Sequence, residues 1–320
     1  MSLETAPTAN LCGRTLDGKY ALERFVAKGG YGAVYKGTHL ALDCPVAVKV
    51  LVTPERYQGP MRARFLATFK QEARTVAALR HPAIVRVYDS GATDDGEAYM
   101  VMEWLDGVTL EEDLRHRARG RSPREALGLL RPVFDAIACA HEAGVAHRDL
   151  KPANVMVTPA RRGEAPARVL DFGVARVMDP DEEAGTGFTR TSSEWSSFSL
   201  SHAAPEQVGR TRTGAWTDVH ALALLLIEVL TGSRAYKGET SVDLYAAITA
   251  RIRPTPGSTG LDTGQWERVL ARALALTPSE RHRDAGALLA ELDATLDDAQ
   301  RAWERIENAP RPSRSPASVT

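Results

Sequence analysis

The segment HRDLKPANVMV, from His147 to Val157, places three polar side chains next to an apolar, strand-like run. Asp149, Lys151 and Asn154 lie within one turn-sized stretch, and the apolar run begins directly after them. Charged and amide groups are costly to bury unless another group pairs with them or solvates them. The pattern therefore predicts a polar loop, held by a buried strand, beside a cleft that binds a charged ligand.

The composition is that of a globular protein with no strong overall charge. The chain has 320 residues, which is long enough for two lobes with a sizeable core, and 43% of them are hydrophobic. Its 40 Lys and Arg residues balance 41 Asp and Glu residues, giving a formal net charge of -1. Such a balance creates no field that attracts nucleic acid or an acidic membrane, so we expect neither as a partner.

The cysteines and the apolar runs indicate a cytoplasmic protein. Cys12, Cys44 and Cys139 are far apart and form no CxxC pair, which argues against a disulfide framework and a zinc cluster. The N-terminus lacks the basic and apolar regions of a signal peptide. The longest apolar run, ALALLLIEVL at 221–230, is too short to cross a bilayer and is typical of a buried core helix.

The secondary-structure pattern changes along the chain. From Tyr20 to Val101 it favours strands, interrupted by one helix whose apolar residues recur from Phe65 until Arg80-His81-Pro82 ends the pattern. After Gly107 the pattern is mainly helical. The predicted helices there run from the capping box at Ser122 to Gly144, from Asp218 to Leu230, from Gln265 to Leu276, and from Asp284 to about Asn308.

These patterns predict an α+β protein with a small β-rich lobe, which carries one helix, and a larger helical lobe. Residues 179–202 are rich in Ser, Thr, Gly and acidic residues, so we expect an exposed, mobile loop there. The predicted boundaries are a flexible arm at 1–18, the small lobe at 19–102, the connection and large lobe at 103–298, a helix extension at 299–308 and a disordered Pro/Ser-rich tail at 309–320.

The stretch FVAKGGYGAVYKG contains a glycine-rich turn at Gly29, Gly30 and Gly32. Glycines allow the backbone to approach a ligand closely, and their amides can face phosphate oxygens. A plain tight hairpin would need the same residues. The motif alone leaves both interpretations open.

A lysine on the next strand suggests an anion in the cleft. In VAVKV, alternation places Val46, Val48 and Val50 on one face and Ala47 with Lys49 on the other. A lysine on an inner face requires an anionic partner, whereas a lysine on an edge strand points to water. Glu72, on the helix that follows, is either the partner that orients Lys49 or a solvated surface residue.

Two further acidic residues complete a possible phosphate and metal site. In VLDFGVAR, Asp171 ends an apolar strand, and together with Asn154 it offers hard oxygen ligands of the kind that Mg²⁺ binds. Asp149 is then available to orient the proton of an incoming hydroxyl, while Lys151 neutralises a phosphoryl group in transfer. Each residue taken singly is more simply explained as capping a turn, but the ordered set favours phosphoryl transfer.

The chain resembles the eukaryotic-like serine/threonine protein kinases of bacteria, from about Tyr20 to Leu296, through a specific set of motifs. The resemblance implies the bilobal α+β protein-kinase fold, with ATP and Mg²⁺, or Mn²⁺ as an alternative ion, as cofactors. By the same resemblance, Lys49 contacts the α- and β-phosphates, Glu72 is its helix partner, Asp149 is the catalytic base, and Asn154 and Asp171 are metal ligands. HRDLKPAN, with Lys151, resembles the serine/threonine rather than the tyrosine class.

Other positions follow from the same resemblance. Met102 takes the gatekeeper position, and Asp218 resembles the acid that holds the catalytic loop. Glu206 of AAPEQ would pair with Arg281, and Arg148 is typical of kinases whose activation loop is phosphorylated. The nucleotide-binding set implied is Ala27, Lys28, Gly29, Gly30, Gly32, Val34, Ala47, Lys49, Met102, Glu103, Trp104, Asn154 and Asp171.

The sequence departs from the family pattern at several places. Ala27 replaces the first glycine of the loop, and DVHALA replaces DVYxLG. In FSLSHAAPE, Ser199 stands where a threonine is expected and His202 where a tyrosine is expected. Ser199 retains a hydroxyl, so we expect substrate docking to be altered rather than lost.

Three functions are compatible with these residues. The first is transfer of the γ-phosphoryl group of ATP to Ser or Thr hydroxyls of protein substrates. The second is a kinase-like scaffold that binds nucleotide with little or no turnover, which the altered FSLSHAAPE segment keeps open. The third is phosphorylation of a small molecule, which Lys151 and the AAPE segment disfavour.

Two regions suggest regulation. The predicted mobile loop has hydroxyls that could be phosphorylated and then pair with Arg148, although Ser and Thr also serve simply to solvate loops. The candidates are Thr189, Thr191, Ser192, Ser193 and Ser199. The last helix carries an apolar stripe from Leu288 to Ile306, which either packs on its own domain or allows the chain to self-associate.

Overall fold

A six-stranded antiparallel sheet forms the first lobe. The computed structural model describes residues 11–29, 32–51, 59–117, 119–159, 164–172 and 200–308. The strands lie in the order β1-β2-β3-β4-β6-β5. Their bounds are Thr15–Leu16 (β1), Tyr20–Gly29 (β2), Gly32–His39 (β3), Cys44–Leu51 (β4), Val87–Ala92 (β5) and Ala98–Glu103 (β6).

The predicted alternation of VAVKV is present in β4. Val46, Val48 and Val50 are buried on one face in a cluster with residues of β2, β3 and β6. The other face is covered by α1, Pro60–Ala78, whose Phe65 and Phe69 are buried in a second cluster. The helix begins a turn earlier than its apolar spacing indicates, because Pro60 at the first helical position needs no hydrogen-bond partner for its nitrogen.

The N-terminal arm is shorter than its polar composition indicates. Leu11 and Leu16 are buried, and β1 pairs with β2 in the register Leu16 to Tyr20. Residues 11–18 therefore extend the sheet of the first lobe, and the predicted boundary at residue 18 is wrong for them. Two apolar side chains among many polar ones are too weak a pattern to indicate a strand.

The second lobe is mainly helical. It also holds a small antiparallel sheet in the order β7-β8-β9, with bounds Val108–Thr109, Val155–Val157 and Ala167–Val169. Its helices are Leu110–His116 (α2), Pro123–Glu142 (α3), Pro205–Val208 (α4), Ala215–Thr231 (α5), Ser241–Thr249 (α6), Trp266–Ala273 (α7), Ala285–Ala294 (α8) and Leu296–Glu307 (α9).

α5 forms the centre of this lobe. Every residue from Thr217 to Leu230 is buried, as the apolar run ALALLLIEVL predicts. α3 packs against α5, and the predicted capping box opens α3, since the Ser122 side chain accepts from the Glu125 amide while Glu125 accepts from the Ser122 amide. No helix within the described ranges is long and apolar enough to cross a membrane.

The helix predicted from Asp284 to Asn308 is two helices rather than one. Thr295 separates α8 from α9, with its backbone at φ -115 and ψ 7. Its hydroxyl donates to the carbonyl of Glu291 at 2.7 Å, and its amide bonds the carbonyl of Leu292. These contacts tighten the last turn of α8, and α9 begins at the next residue. The apolar stripe still continues, because Ala299 and Ala302 of α9 are buried.

The last strand of the first sheet, β6, ends at Glu103, and the first strand of the second sheet, β7, begins at Val108. A β-rich lobe with one helix precedes a lobe of helices with a small sheet, so the α+β, bilobal prediction is confirmed. The residues around Asp149 lie in the second lobe, whereas Lys49 lies on β4 of the first. A site that uses both must therefore form where the lobes meet.

Candidate active site

Asp149 is held by two neighbouring side chains of its own loop. Lys151 Nζ donates to both carboxylate oxygens of Asp149, at 3.1 and 2.8 Å. Asn154 Nδ2 donates to the Asp149 backbone oxygen at 2.7 Å and to its carboxylate at 3.0 Å. Asn154 ends a short 3-10 turn, Pro152–Asn154, and β8 begins at the next residue. The loop is thus fixed by a strand directly behind it, as its sequence indicates.

Asp218 on α5 accepts hydrogen bonds from the same loop. Its carboxylate accepts from the backbone amides of His147 and Arg148, each at 2.7 Å, and from His141 Nε2 at 2.9 Å. Asp218 is fully buried, and these donors compensate for the loss of water. Arg148 has φ 66, a left-handed conformation that is unfavourable for arginine, and the two bonds to Asp218 hold it.

Asp171 is brought beside this loop by the β8–β9 sheet. The Leu170 amide donates to the Asn154 carbonyl at 2.9 Å, and His147 Nε2 donates to the Leu170 carbonyl at 2.8 Å. Asp171 follows Leu170 with φ 59, so the chain turns sharply there. Asn154 and Asp171 are therefore held next to each other by backbone hydrogen bonds.

Lys49 of the first lobe contacts this group of residues. Its Nζ lies 2.7 Å from Asp171 Oδ2, and Lys49 is 8% exposed on the inner face of β4. Burial alone would raise the pKa of the Asp171 carboxyl, but the positive charge and hydrogen bond of Lys49 lower it below its usual value. The Asp171 carboxyl is thus ionised at neutral pH. The other predicted partner, the Glu72 side chain, lies outside the described residues.

The connection between the lobes is held by an ion pair that the sequence analysis missed. Glu103 accepts from Arg168 through both carboxylate oxygens, at 3.0 and 2.5 Å, and from the Arg86 amide at 2.7 Å. Arg168 lies on β9, three residues before Asp171. Met102, opposite Ala47 in the β4–β6 pairing, lines the sheet just before Glu103. The residues predicted to hold adenine are thus tied to the strand that leads to Asp171.

Trp104 lies on the outside of this connection. Lys36 of β3 is 5.1 Å from the centre of the indole ring and Arg24 of β2 is 5.6 Å away. The indole Nε1 donates to Asp106 at 3.0 Å. These contacts link the connection to the two strands that carry the glycine-rich turn.

The described part of the glycine-rich turn is the end of the β2–β3 hairpin. Gly29 pairs with Gly32, Lys28 with Ala33, and Ala27 with Val34. Gly32 has φ 151, and a Cβ there would lie 2.0 Å from the Val50 carbonyl oxygen, so no larger residue fits. Gly30 lies outside the described residues. The hairpin geometry alone would require Gly32, and its approach to a ligand stays a prediction.

Glu206 and Arg281 form a buried ion pair, as the sequence resemblance implies. Arg281 donates through both terminal nitrogens to the two oxygens of Glu206, each at 2.8 Å. Thr217 of α5 also donates to Glu206 at 2.9 Å. The pair links α4 to the segment before α8. The bidentate geometry provides both charge neutralisation and orientation.

A second buried pair, between His202 and Glu228, was not predicted. His202 Nε2 lies 3.1 Å from both oxygens of Glu228 on α5. The signal that could have revealed it is Glu228 itself, an acid inside the apolar run of a core helix, which must have a buried partner. His202 is one of the departures from the family pattern. Each of the two unusual residues is thus the buried partner of the other.

The donors around Asn154 and Asp171 fit a divalent ion. Asn154 uses its amide nitrogen on Asp149, which leaves its side-chain oxygen as an acceptor. Asp171 is ionised beside it. Mg²⁺ in proteins is bound by one or two such oxygens together with waters and substrate phosphates, and Mn²⁺ accepts the same ligands.

All five candidate phosphorylation sites lie outside the described residues: Thr189, Thr191, Ser192, Ser193 and Ser199. Arg148, their predicted partner, is described, and its carbonyl accepts from Gln207 of α4 at 2.8 Å. The segment that follows the candidate sites is thus attached to the catalytic loop.

Comparison with known proteins identifies the family. The sequence model of the protein kinase domain matches residues 20–287. The serine/threonine-protein kinase PknL of Mycobacterium tuberculosis is 33% identical over 302 residues, which is 93% of this chain and 70% of PknL. The serine/threonine-protein kinase pkn3 of Myxococcus xanthus is 31% identical over 320 residues, which is 99% of this chain and 56% of pkn3. The chain thus spans only part of each relative.

Solved structures show the same fold. The crystal structure of the Mycobacterium tuberculosis PknI kinase domain, in a double mutant, superposes with a TM-score of 0.67 at 24% identity. The match covers 89% of this chain and 98% of that one. The predicted bilobal kinase fold is therefore confirmed.

Proposed function

The chain belongs to the protein kinase domain family and is a serine/threonine protein kinase, and from that premise we propose how its own residues act. The γ-phosphoryl group of ATP passes to a Ser or Thr hydroxyl of a protein substrate. The observation that carries the proposal is the convergence of Asp149, Asn154, Asp171 and Lys49 where the two lobes meet. Catalysis of this kind depends on positioning and charge stabilisation more than on covalent chemistry.

Asp149 acts on the substrate hydroxyl. Its carboxylate is held by Lys151 and Asn154, so its orientation is set before a substrate arrives. In this position it accepts the hydroxyl proton as the oxygen attacks phosphorus. Lys151, bonded to Asp149 at 2.8 Å, lies within reach of the transferring group and neutralises its charge.

Lys49, Asn154 and Asp171 receive the phosphates and the metal ion. In the structure Lys49 and Asp171 neutralise each other. With nucleotide bound, Lys49 would pair with phosphate oxygens, and Asp171 with Asn154 would hold the ion. The ion, Mg²⁺ or Mn²⁺, supplies charge neutralisation on the phosphates. Glu72 would take over as the partner that orients Lys49.

The remaining nucleotide contacts come from the first lobe. The backbone of Glu103 and Trp104 holds adenine, with Met102, Ala47 and Val34 around the ring. Ala27, Lys28, Gly29, Gly30 and Gly32 cover the phosphates. The support for this proposal is the position of these residues in the family pattern and the pairing of β2, β3, β4 and β6 that brings them together.

The metal ligands can be tested by exchanging one oxygen. Asp171→Asn should raise the Mg²⁺ concentration needed for half-maximal transfer by at least about tenfold, because a neutral amide is a weaker ligand than a carboxylate. Transfer measured against Mg²⁺ and against Mn²⁺ separately shows which ion supports turnover. An unchanged metal requirement would remove Asp171 from the ligand set. The matched control is Asp262→Asn, a partly exposed acid paired with Arg305.

Activation-loop phosphorylation remains a proposal. A phosphate on Thr189, Thr191, Ser192, Ser193 or Ser199 would pair with Arg148 and order the segment. Its support is the hydroxyl-rich sequence and the contact of Arg148 with α4. Mass spectrometry after incubation with ATP should find phosphate on these residues in wild type. Phosphate confined to other regions would exclude the switch.

Self-association through the last helix also remains a proposal. Most of the α9 stripe packs on its own domain: Ala299 and Ala302 are buried, and Arg124 of α3 binds Asp297 at 2.5 Å. Ile306, 41% exposed, is left for a partner. Light scattering should show a lower mass for Ile306→Glu if the helix mediates association, and an equal mass would exclude it. Ile252→Glu, at an apolar residue elsewhere that is 88% exposed, is the control.

We also propose a cytoplasmic location for this domain. Cys12, Cys44 and Cys139, all among the described residues, form no disulfide, which is typical of a reducing compartment. ATP, the proposed phosphate donor, is available there. Fractionation of cells that express the full-length protein tests this directly, and recovery of the kinase domain outside the cytoplasmic side would contradict it.

A further inference from the structure

A tryptophan of the inter-lobe connection contacts two cations of the β2–β3 hairpin. Lys36 Nζ lies 5.1 Å from the centre of the Trp104 indole ring, and the guanidinium carbon of Arg24 lies 5.6 Å from it. A cation within about 6 Å of the centre of an indole ring is attracted to the face of the ring. Arg24 belongs to β2 and Lys36 to β3, so the contact joins both strands of the hairpin to the connection.

The indole is the partner that both cations share. Among the residues that the structure describes, neither Arg24 nor Lys36 has an acidic partner. The two lie directly opposite each other in the β2–β3 pairing, where like charges repel. The neighbouring acid, Glu23, accepts from the Thr38 hydroxyl at 2.5 Å instead. The described attraction that holds the two cations in place therefore comes from Trp104.

The contact lies close to the proposed phosphate site. In the β3–β4 pairing, Lys36 is opposite Ala47 and Val34 is opposite Lys49. Residues opposite each other, and residues two apart on one strand, share a face of a sheet. Lys36 is therefore attached to the sheet face that carries Lys49. Along β3 it is about 7 Å from the residue opposite Lys49, at about 3.3 Å per residue.

The pairing of β2 is irregular on both sides of this contact. Its register with β3 shifts between Leu22 and Arg24, and again between Phe25 and Ala27. A register shift interrupts the ladder of hydrogen bonds and bends the strand. The ladder alone therefore fixes the direction of the outer half of the hairpin less firmly here than a regular pairing would. An anchor at Arg24 falls where it has the greatest effect on that direction.

We propose that Trp104 is a positioning residue: through Arg24 and Lys36 it holds the hairpin against the connection and so keeps the backbone at Gly29 and Gly32 over the phosphates of ATP. The inference rests on the proposed nucleotide site and adds a contact that acts on it through the hairpin. The hairpin is proposed to hold the phosphates, whereas the backbone of the connection is proposed to hold adenine. Loss of the indole should therefore weaken binding of nucleotides with phosphates and leave binding of adenosine unchanged.

Release of ADP measures this effect. The dissociation rate of a fluorescent N-methylanthraniloyl derivative of ADP, with Mg²⁺, is followed by stopped flow, and the Kd for adenosine by calorimetry. Trp104→Leu should release the derivative about fivefold faster than wild type, the size of one cation–π contact, with the Kd for adenosine unchanged. Trp104→Phe keeps an aromatic face and should lie between the two.

A double-mutant cycle separates the contact from charge alone. The variant with Arg24→Met and Lys36→Met lacks two positive charges, so it should release ADP faster for two reasons, whereas Trp104→Leu changes no charge. Because the indole acts through these cations, adding Trp104→Leu to the double variant should produce no further increase in rate. Tyr245→Leu, which removes a 54% exposed aromatic ring on α6, is the control and should release ADP at the wild-type rate.

Hydrogen–deuterium exchange without nucleotide provides a second readout. Amides at 24–29 and 32–36 should exchange faster in Trp104→Leu than in wild type, because the hairpin has lost its anchor. Equal exchange in the two proteins would overturn the inference. So would equal ADP release, an equal weakening of adenosine binding, or a full effect of Trp104→Leu in the double variant. Wild type that binds no nucleotide would contradict the proposed function instead, and the exchange comparison then decides whether Trp104 holds the hairpin.

Discussion

Arg148 has an unfavourable backbone conformation at the centre of the site, and the cause is a single acid on another helix. Its amide and that of His147 both donate to Asp218, which is 70 residues away from Arg148 in the chain. The next residue is Asp149, so the direction of its side chain depends on this strained turn. A buried residue of another helix thus positions the loop residue that is proposed to act on the substrate hydroxyl.

Replacing Asp218 tests this dependence. Asp218→Ala leaves two buried amides without an acceptor, so we predict a loss of about 2–5 kcal/mol in the free energy of unfolding and a large loss of transfer activity. Urea unfolding measures the first and a phosphoryl-transfer assay the second. Asp95→Ala, which removes an exposed pair with Arg14, should change neither. Full activity in Asp218→Ala would contradict the positioning role.

Single residues were predictable where the chemistry allows few alternatives. An inner-face Lys49 requires an anion, and Asp149 with Asn154 beside an apolar strand requires a polar cleft. The partners were not predictable, because Lys49 meets Asp171 across 122 positions of sequence and Glu103 meets Arg168 across 65. In the sequence, His202 is only a departure from the family pattern. The structure shows that it is the buried partner of Glu228.

At the scale of elements, two tyrosines form hydrogen bonds that connect the two edges of the first-lobe sheet to its inner strands. Tyr99 of β6 donates to Asp17, which connects β1 and β2, and Tyr20 of β2 donates to Asp89 of β5 at 2.9 Å. Burial and the bond to Asp89 raise the pKa of Tyr20 to about 12. Burial and the bond to Asp17 likewise raise the pKa of Tyr99.

These shifts predict how the stability of the first lobe depends on pH. A pKa that is higher in the folded state than in the unfolded state stabilises the protein below the unfolded value, about 10 for tyrosine. This stabilisation is lost as the pH rises from about 10 to 12. The free energy of unfolding should therefore fall less steeply in that range for Tyr20→Phe than for wild type. Urea unfolding at a series of alkaline pH values measures the slope.

A matched control makes the pH prediction specific. Tyr245 on α6 is 54% exposed, so Tyr245→Phe should leave the wild-type slope unchanged. Equal slopes for Tyr20→Phe and wild type would show that the two ends of the sheet are not joined through this phenol.

Element types were easier to predict than their ends. The capping box at Ser122 and the apolar run of α5 have local causes, and both elements are present. The break at Thr295 depends on a hydrogen bond from its hydroxyl to the carbonyl four residues earlier. Threonine in a helix does not always form this bond. β1 depends on pairing with β2, which polar residues around Leu16 do not reveal.

At the scale of the whole molecule, the two lobes share a site because specific contacts join them. One is the pair of Lys49 and Asp171, and another is the pair of Glu103 and Arg168. The second pair lies where adenine is proposed to bind and on the strand that leads to the proposed metal ligands. It therefore sets the relative position of the two halves of the proposed nucleotide site.

Loss of that pair should weaken nucleotide binding selectively. For Arg168→Met we predict a KM for ATP about fivefold higher, corresponding to about 1 kcal/mol, with kcat nearly unchanged. Arg168→Lys should recover part of the affinity. Arg124→Met, which removes a surface pair with Asp297, is the control and should leave the KM for ATP unchanged. Equal KM values for Arg168→Met and Arg124→Met would contradict the role of the pair.

The most direct test of the central claim is transfer of the terminal phosphate of ATP, with Mg²⁺, to the chain itself and to a pool of Ser- and Thr-containing peptides. Wild type is compared with Asp149→Asn and Lys49→Met, and nucleotide binding is measured alongside. Wild type should transfer phosphate, and Asp149→Asn should lose at least about a hundredfold in rate while it still binds nucleotide. Lys49→Met should lose transfer as well. Wild type that binds nucleotide without transfer, or Asp149→Asn with the wild-type rate, would contradict the proposed mechanism.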